Sequence, residues 1–456
     1  MGFRTTAVLG MLFIALLAFL YFYESELSKE RRRAREEEKS VLSIDKEAVT
    51  RIRIQWADTV LVAVKEGKDW QILEPIRFEG DNGNFFGVIT IASEIDKHRV
   101  IAESTAVENG EVDIAEFGLA DPEVVVELYQ QGKDPDTVYV GDRTPTEGYF
   151  YLRRSGNPEI LMSSGWRKDF FLKGLFYLRD KQVLPFDVLE DIKRIEFIYK
   201  DHVIEVMKQG EFWRLEQPLI DWADDGAVRG LLNRVRSGRI LEFVDERGED
   251  LASYGLDRPW AKITLQEGNE KKTLILGDST SANGNTRFYG KYLPRTPIFL
   301  IDKSLVGQLI ASSAGLRYKQ VFAFNQEGID RVSLAYPDST VDCRIDAASN
   351  EWVVLSPPSR LVLRTSVEGL IQRAGAMKAK GFVSEDLTNS RRYGMDRPTV
   401  VAKFWKGTEL RREITVGTVD DVIYATIDSK PQVVEVYDKD LDELKLELIS
   451  KGTGSE

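Results

Sequence analysis

Two histidines, one cysteine and a large number of carboxylates are the groups in this chain that could carry acid–base, nucleophilic or metal chemistry. His98 and His202 stand far apart in sequence and outside any metal-ligand spacing, so neither reads as a ligand or a shared imidazole base. Cys343 stands alone, which rules out an internal disulfide framework and a multi-cysteine metal site, and its alternating apolar context assigns it to a strand. The Gly141-Asp142 and Gly277-Asp278 steps are short enough to suggest phosphate cradles. Neither belongs to a Gly-rich loop opening a helix, and no Lys-Ser/Thr pair follows, so strand-ending turns are expected there. There is no Gly-x-Ser-x-Gly elbow, and Ser163-Ser164-Gly165 and Ser312-Ser313 lack a histidine in a matching context. A glycosidase-type carboxylate pair is not excluded by counting acids, but Asp257 and Asp396 recur inside one turn motif where Ala120 takes the third position, which points to folding use. The expectation is a non-enzyme with no catalytic residue, no metal and no cofactor.

Tryptophan offers a second kind of chemistry, since its ring face and N–H suit stacking on sugars or docking on a partner. Trp70, Trp213 and Trp352 sit in alternating strand patterns opposite a helix, and core burial is expected for them. Trp222, Trp260 and Trp405 fall outside that pattern and form the candidate partner surface.

The pattern itself is a triplication. Trp70-Gln71-Ile72-Leu73-Glu74-Pro75, Trp213-Arg214-Leu215-Glu216-Gln217-Pro218 and Trp352-Val353-Val354-Leu355-Ser356-Pro357 are each followed by an aromatic-Gly signature: Phe117-Gly118-Leu119-Ala120-Asp121-Pro122, Tyr254-Gly255-Leu256-Asp257-Arg258-Pro259 and Tyr393-Gly394-Met395-Asp396-Arg397-Pro398. The Trp residues are 143 (213 minus 70) and 139 (352 minus 213) positions apart. That period is one small domain per copy, far beyond a solenoid unit of roughly 20–50 residues. The expected modules are 41–182, 183–324 and 325–456. Each opens with alternating strands such as Thr50–Ile54, Lys193–Phe197 and Asp330–Leu334, and continues through the Trp strand, which the proline ends. An amphipathic helix follows: Val88, Ile89, Ile91 and Ile95 behind Asp81 and Asn82; Val228, Leu231, Leu232 and Val235 behind Asp224 and Asp225; Val367, Leu370 and Ile371 behind Thr365 or Ser366. A strand then comes at Arg99–Ala102, Ile240–Val244 and Gly381–Val383, followed by further strands after the Gly signature. The expected fold class is α+β, with each module an antiparallel sheet carrying one or two helices on one face.

Leu178-Arg179-Asp180-Lys181-Gln182-Val183 and Leu316-Arg317-Tyr318-Lys319-Gln320-Val321 close the first two modules. With no Gly/Ser or Pro-rich spacer after them, abutting modules at a fixed angle are expected. The third copy lacks the phrase and ends in a Leu-bearing tail, Asp440–Lys451, expected to be helical.

Composition places the chain among globular proteins, with 43% apolar and 30% charged residues among 456 and enough apolar mass for three cores. A net charge of −12, without an isolated basic block, gives no electrostatic footprint for nucleic acid. Residues 5–23 are free of charge and end in a Tyr/Phe belt; as a helix they would rise about 28 Å, enough to cross a hydrocarbon core. The run is longer than a signal-peptide core and no small-x-small site follows, so an uncleaved single-pass anchor in the lipid bilayer is expected over 1–23, with a charged helical stalk over 24–40. The flanking basic residues, counted literally, would put the body in the cytoplasm.

The apolar N-terminus, the repeated Trp-x-x-x-x-Pro, the Tyr-Gly-Leu/Met-Asp-Arg-Pro signature and the Leu-Arg-x-Lys phrase together resemble the membrane-anchored domain-of-unknown-function family encoded beside gliding-motility-type ABC transporter auxiliary subunits. The resemblance covers essentially the whole chain, with departures at Phe117, Ala120 and Met395. It implies an extracytoplasmic (periplasmic) body on an inner-membrane anchor, acting as a scaffold or binding subunit beside ABC transporter permease or auxiliary subunits, and it carries over no catalytic residue. A glycan-binding or glycan-processing envelope protein using exposed aromatics and acids is the alternative expectation. A hydrolase with its site between modules would require a cleft holding carboxylates of raised pKa.

Overall fold

The computed structural model describes residues 41–450, apart from 43, 201, 283 and 429. The expected anchor (1–23), the stalk (24–40) and the end of the tail lie outside the described residues. Among those described, no helix is long and apolar enough to cross a membrane. The chain forms two compact units divided between Lys181 and Gln182. The first holds one large sheet and the second holds two.

The sheet of the first unit contains β1 (Val49–Trp56), β2 (Val60–Glu66), β3 (Asp69–Glu74), β4 (Phe78–Glu79), β5 (Arg99–Ala102), β6 (Val124–Gln130), β7 (Asp136–Arg143), β8 (Tyr149–Arg154) and β9 (Asn157–Ser164). They run in the order β4-β3-β2-β1-β6-β7-β8-β9-β5, antiparallel throughout. Two meanders therefore meet at the β1–β6 pair, and β5 returns to the far edge after the helix Asn82–Ser93. Alternation along the strands puts Ile52, Ile54, Ile72, Val126, Leu128, Val138 and Val140 on one face, where they bury Phe85, Val88 and Ile89 of that helix.

The second unit repeats this plan twice. Its first sheet has nine strands in the same order, from the edge pair Asp221–Trp222 and Phe212–Gln217, through Ile192–Tyr199 and Ala261–Glu267, to Ile298–Asp302 and Glu242–Asp245. The second sheet has the equivalent order without the first edge strand; Arg360–Leu361, which would have supplied it, pairs instead with Ile449–Ser450 near the chain end. Trp70, Trp213 and Trp352 occupy the same strand in all three sheets and are 3%, 2% and 6% exposed, and the proline ending each of these strands follows a cis peptide bond. The Trp residues are core, and Trp70 stacks on Phe85 of its own module's helix at 5.0 Å.

Helix starts follow the expected chemistry in two modules. Asp81 accepts the Asn84 N–H at 3.0 Å and Asp224 accepts the Ala227 N–H at 2.8 Å. In the third module the helix begins one residue before Thr365, at Arg364, with Leu363 in the cap position and no side-chain cap. Thr365 and Ser366 thus lie inside the first turn and cannot play the expected role. The strand expected at Ile240–Val244 begins at Glu242, because Ile240 is drawn into the core. The expected helical tail is a single short helix, Asp438–Glu443, after which the chain extends to pair with Arg360–Leu361.

The Gly signature has one structural use in all three copies. Phe117, Tyr254 and Tyr393 end short 3₁₀ turns, and Gly118, Gly255 and Gly394 continue with φ of 66°, 66° and 71°, which a side chain adopts only at a cost. Each turn lies backbone-to-backbone on a second glycine, Gly141, Gly277 or Gly417, where a Cβ would clash with the carbonyl oxygen of the signature aromatic. The Gly-Asp steps are therefore not strand-ending turns: they lie within the long strands Asp136–Arg143 and Glu270–Ala282, at register shifts that admit the turn. The signature aromatics make matching edge contacts, Phe117 on Tyr151, Tyr254 on Tyr289 and Tyr393 on Tyr424, and Leu119 and Leu256 fill a small second core on the opposite sheet face.

Candidate functional site

The groups that could do chemistry are spread across the structure and tied into local architecture. His98 stacks on Tyr149 at 4.4 Å, while His202 is exposed at a strand start. Cys343 is fully buried on its strand, and burial, with Asp342 beside it, pushes its thiol up to about 11, so it is not poised as a nucleophile. Ser163 Oγ donates to Asp96 at 2.8 Å, and Ser312 Oγ accepts the Gly315 N–H at 3.1 Å as a helix cap. Asp440 is a carboxyl that burial raises; its oxygen accepts the Tyr437 N–H at the start of the last helix, inside module 3. Asp257 and Asp396 are turn residues, Asp396 facing Arg391 at the surface. Among the described residues no group of three or more His, Cys, Asp or Glu could hold a metal.

The three aromatics expected at a partner surface are not brought together. Trp222 is 52% exposed on the edge strand of the module 2 sheet, with its ring edge-to-face with the exposed Phe212 at 6.2 Å. Trp260 is half-buried: its Nε1 donates to Gly277 O at 2.6 Å and its ring meets Tyr199 at 5.6 Å, which locks it beneath the Gly-signature bulge. Trp405 is half-buried in module 3 under the Arg331 guanidinium, 4.9 Å from the ring centroid. Only Trp222, of the three, presents its ring to solvent.

Beside Trp222 lies the junction of modules 2 and 3, built on the closing phrase Leu316–Val321. Ala223 and Arg317 form an isolated antiparallel bridge, and the Tyr318 N–H donates to Trp222 O at 2.9 Å, so the phrase extends the edge of the module 2 sheet. From there Arg317, 3% exposed, reaches both ways. Its Nε donates to Asp221 of module 2 at 2.7 Å; Nη1 donates to Glu385 of module 3, and the guanidinium lies 3.7 Å from the ring centroid of Phe382. The Ala379 N–H completes the seam by donating to Lys319 O at 2.9 Å. A groove of about 380 Å³ opens on the seam, lined by Trp222, Tyr318, Gln320, Lys430 and Gln432 among others. A second groove of about 770 Å³ lies in module 1 between Trp56, Asp58, Glu74, Pro75, Glu123 and Leu172. On one side of it the buried Lys168 ammonium pairs with Glu123 at 2.6 Å and donates to Gly141 O at 2.7 Å.

Sequence reasoning missed Arg317 as a junction residue, and also Phe212, Phe86 and Trp166 as exposed aromatics. The repeat of Arg179 at Arg317 was the available signal for the first. For the others the signal was helix or strand phase, which is legible only once the element's boundaries are fixed.

No curated protein matches the chain. One family model matches twice, over residues 70–223 and 213–361, so that its unit begins at the Trp strand of one module and ends just past the Trp strand of the next. Together the matches span well over half of the 456 residues, and the chain belongs to the family described as a domain of unknown function, DUF4340, in repeated copies.

Proposed function

We propose that the protein is a non-enzymatic, membrane-anchored scaffold or binding subunit with an extracytoplasmic body, an accessory of an ABC-type export or gliding-type transporter complex. The observation that carries this reading is the seam between modules 2 and 3. A buried arginine bound to both modules, with no spacer between them, suits a part that holds shape rather than one that opens and closes around a substrate. The residues that recur from copy to copy serve folding: core Trp, paired glycines and aromatic edge contacts. The charge-free run over 5–23 supplies the tether. Affinity purification of the tagged full chain from native membranes in mild detergent tests the reading. Permease, ATPase or auxiliary subunits are expected to co-purify; recovery of the chain alone overturns it.

The groove at the seam favours a second reading, in which the same envelope protein binds glycan. Trp222 offers an open ring face, and Gln320, Gln432 and Lys430 offer planar amide and ammonium groups for hydroxyls. An array of envelope glycans with no hit, or binding unchanged in Trp222→Ala, removes it.

A further inference from the structure

The three copies act as controls for one another, and the comparison singles out the helical layer of module 1. The helix Asn82–Ser93 and its counterparts Asp225–Ser237 and Arg364–Ala376 align from cap to cap (Asp81, Asp224, Leu363), with a glycine at the same step in each: Gly87, Gly230 and Gly369. One residue before that glycine the outward position holds Phe86, 51% exposed, in module 1, whereas modules 2 and 3 hold Arg229 and Glu368. The short helix Gly165–Phe171 aligns in the same way with Lys303–Leu309, and there Trp166, 55% exposed, faces Ser304 in the alignment. Exposed Leu172 follows that helix, where module 2 has the half-buried Ile310. At Phe86 the other two copies, and at Trp166 module 2, show that the fold does not need an apolar side chain on the outside.

These side chains lie on the two packed helices of one layer, with cations set among the rings and the acids Asp58, Glu74 and Glu123 lining the groove beside Leu172. Phe170 packs over Gly87, next to Phe86, and the Lys173 ammonium lies 4.4 Å from the Phe170 ring centroid and 4.5 Å from that of Tyr177. Arg167 lies over Trp166 at 4.6 Å and pairs with Asp96 at 3.0 Å. Asp96 adjoins Ile95, whose carbonyl accepts the Val41 N–H at 2.9 Å, so the described chain enters the body beside this surface. Only 17 residues (24–40) separate that entry from the end of the charge-free run. They can span at most about 60 Å fully extended, or about 26 Å as a helix.

We infer that this helical face of module 1, centred on Phe86, Trp166 and Leu172, is a membrane-contact surface that rests in the interfacial region of an anionic phospholipid bilayer. Rings and a leucine at the level of the headgroups, with the exposed Lys173 reaching phosphates, are the composition such an interface selects, and a short tether beside the face keeps the bilayer at high effective concentration. The inference rests on the anchored reading above and adds which module faces the lipid and with which residues.

Single-cysteine labelling of the full chain tests it, because the native thiol, Cys343, is fully buried. Phe86→Cys and Leu172→Cys, with Arg229→Cys as the matched position of module 2, are labelled with an environment-sensitive fluorophore. The chains are then reconstituted alone into phosphatidylethanolamine–phosphatidylglycerol vesicles carrying a lipid-bound nitroxide. The expected result is blue-shifted emission and roughly twofold or greater quenching at 86 and 172, as for groups about 5–10 Å inside the headgroup boundary, and neither effect at 229. Solvent-like emission at 86 and 172 from vesicles in which the chain floats overturns the inference and leaves the anchor standing. Failure of the chain to float with vesicles overturns both. Protection seen only in native membranes, with solvent-like labels in vesicles of the pure chain, assigns the face to a protein partner and overturns the lipid assignment.

Discussion

Arg317→Ala should loosen the seam between modules 2 and 3 while leaving both cores intact. The side chain is almost fully buried, donates to Asp221 and Glu385, and stacks on Phe382. Removing one member of a fully buried ion pair costs about 3–5 kcal/mol, because the partner is left charged and unpaired. Here the carboxylates keep 28% and 47% of their side-chain surface in water, so part of that penalty is relieved, and loss of the ring contact adds back about 1 kcal/mol. A loss of about 2–3 kcal/mol is expected, confined to the seam, which corresponds to roughly 30- to 150-fold more frequent local opening. Hydrogen exchange on the full chain reads this directly. The amide of Ala379, which donates to Lys319 O across the seam, and that of Tyr318, which holds the closing phrase to Trp222 O beside it, should exchange faster by that factor, while the Val228 amide inside the module 2 helix keeps its rate. Arg317→Lys keeps the charge but loses the planar fork and the stack, and should fall nearer the alanine variant than the wild type. Unchanged exchange at Tyr318 and Ala379 would refute the assignment of Arg317 as the pin.

Two further outcomes follow from the fold. Gly277→Ala puts a Cβ against Tyr254 O and should destabilise module 2 by about 3 kcal/mol or more, whereas Gly268→Ala, at φ 58° with open space around it, should cost only about 1 kcal/mol; urea unfolding of the two variants compares them. Glu267 supplies a pH dependence. Burial by itself would raise its carboxyl, but the Lys272 ammonium at 2.5 Å and the N–H groups of Val188 and Asp187 outweigh it and hold the group below its ordinary 4.5. A lowered carboxylate contributes stability that is complete above its ordinary value and disappears as pH falls through the depressed one. The stability gap between wild type and Glu267→Gln should therefore be widest at neutral pH and shrink below 4.5 in urea melts taken across that range; a gap independent of pH would overturn the assignment.

Much of the fold was legible because each module needs the same physical solutions. A strand that ends against a helix needs a large buried ring, hence Trp70, Trp213 and Trp352; a backbone-on-backbone crossing needs two glycines, hence Gly255 over Gly277. Such requirements tolerate few substitutes, so they persist as spaced letters. The third-module cap was not legible, because Thr365 and Ser366 are good capping residues two and three positions past the cap at Leu363, and the hydrophobic phase of Val367 and Leu370 set the helix start instead. The closing phrase looked like a connector, since nothing in Leu-Arg-Tyr-Lys says that its arginine will be buried; that follows from Asp221, Glu385 and Phe382, which lie 96, 68 and 65 positions away.

The candidate surface failed in the sequence for a different reason. Phe85 and Phe86 are adjacent in sequence, yet a helix advances about 100° per residue and sends one inward and the other outward. Phe85 is fully buried against Trp70 while Phe86 is half in water. Grouping positions by whether apolar character recurs, as the repeat invites, sorts Phe85 with Val228 and Val367 but gives no weight to Phe86, because a residue peculiar to one copy looks like drift. The structure reverses that weighting. Where three copies share one fold, positions common to all report what the fold requires, and a position that departs toward exposed apolar character in one copy alone is not explained by folding. Phe86 against Arg229 and Glu368, and Trp166 against Ser304, are departures of that kind, and they lie on the module nearest in sequence to the charge-free run. In a repeated chain of this family, specialised function is therefore to be sought where the copies disagree.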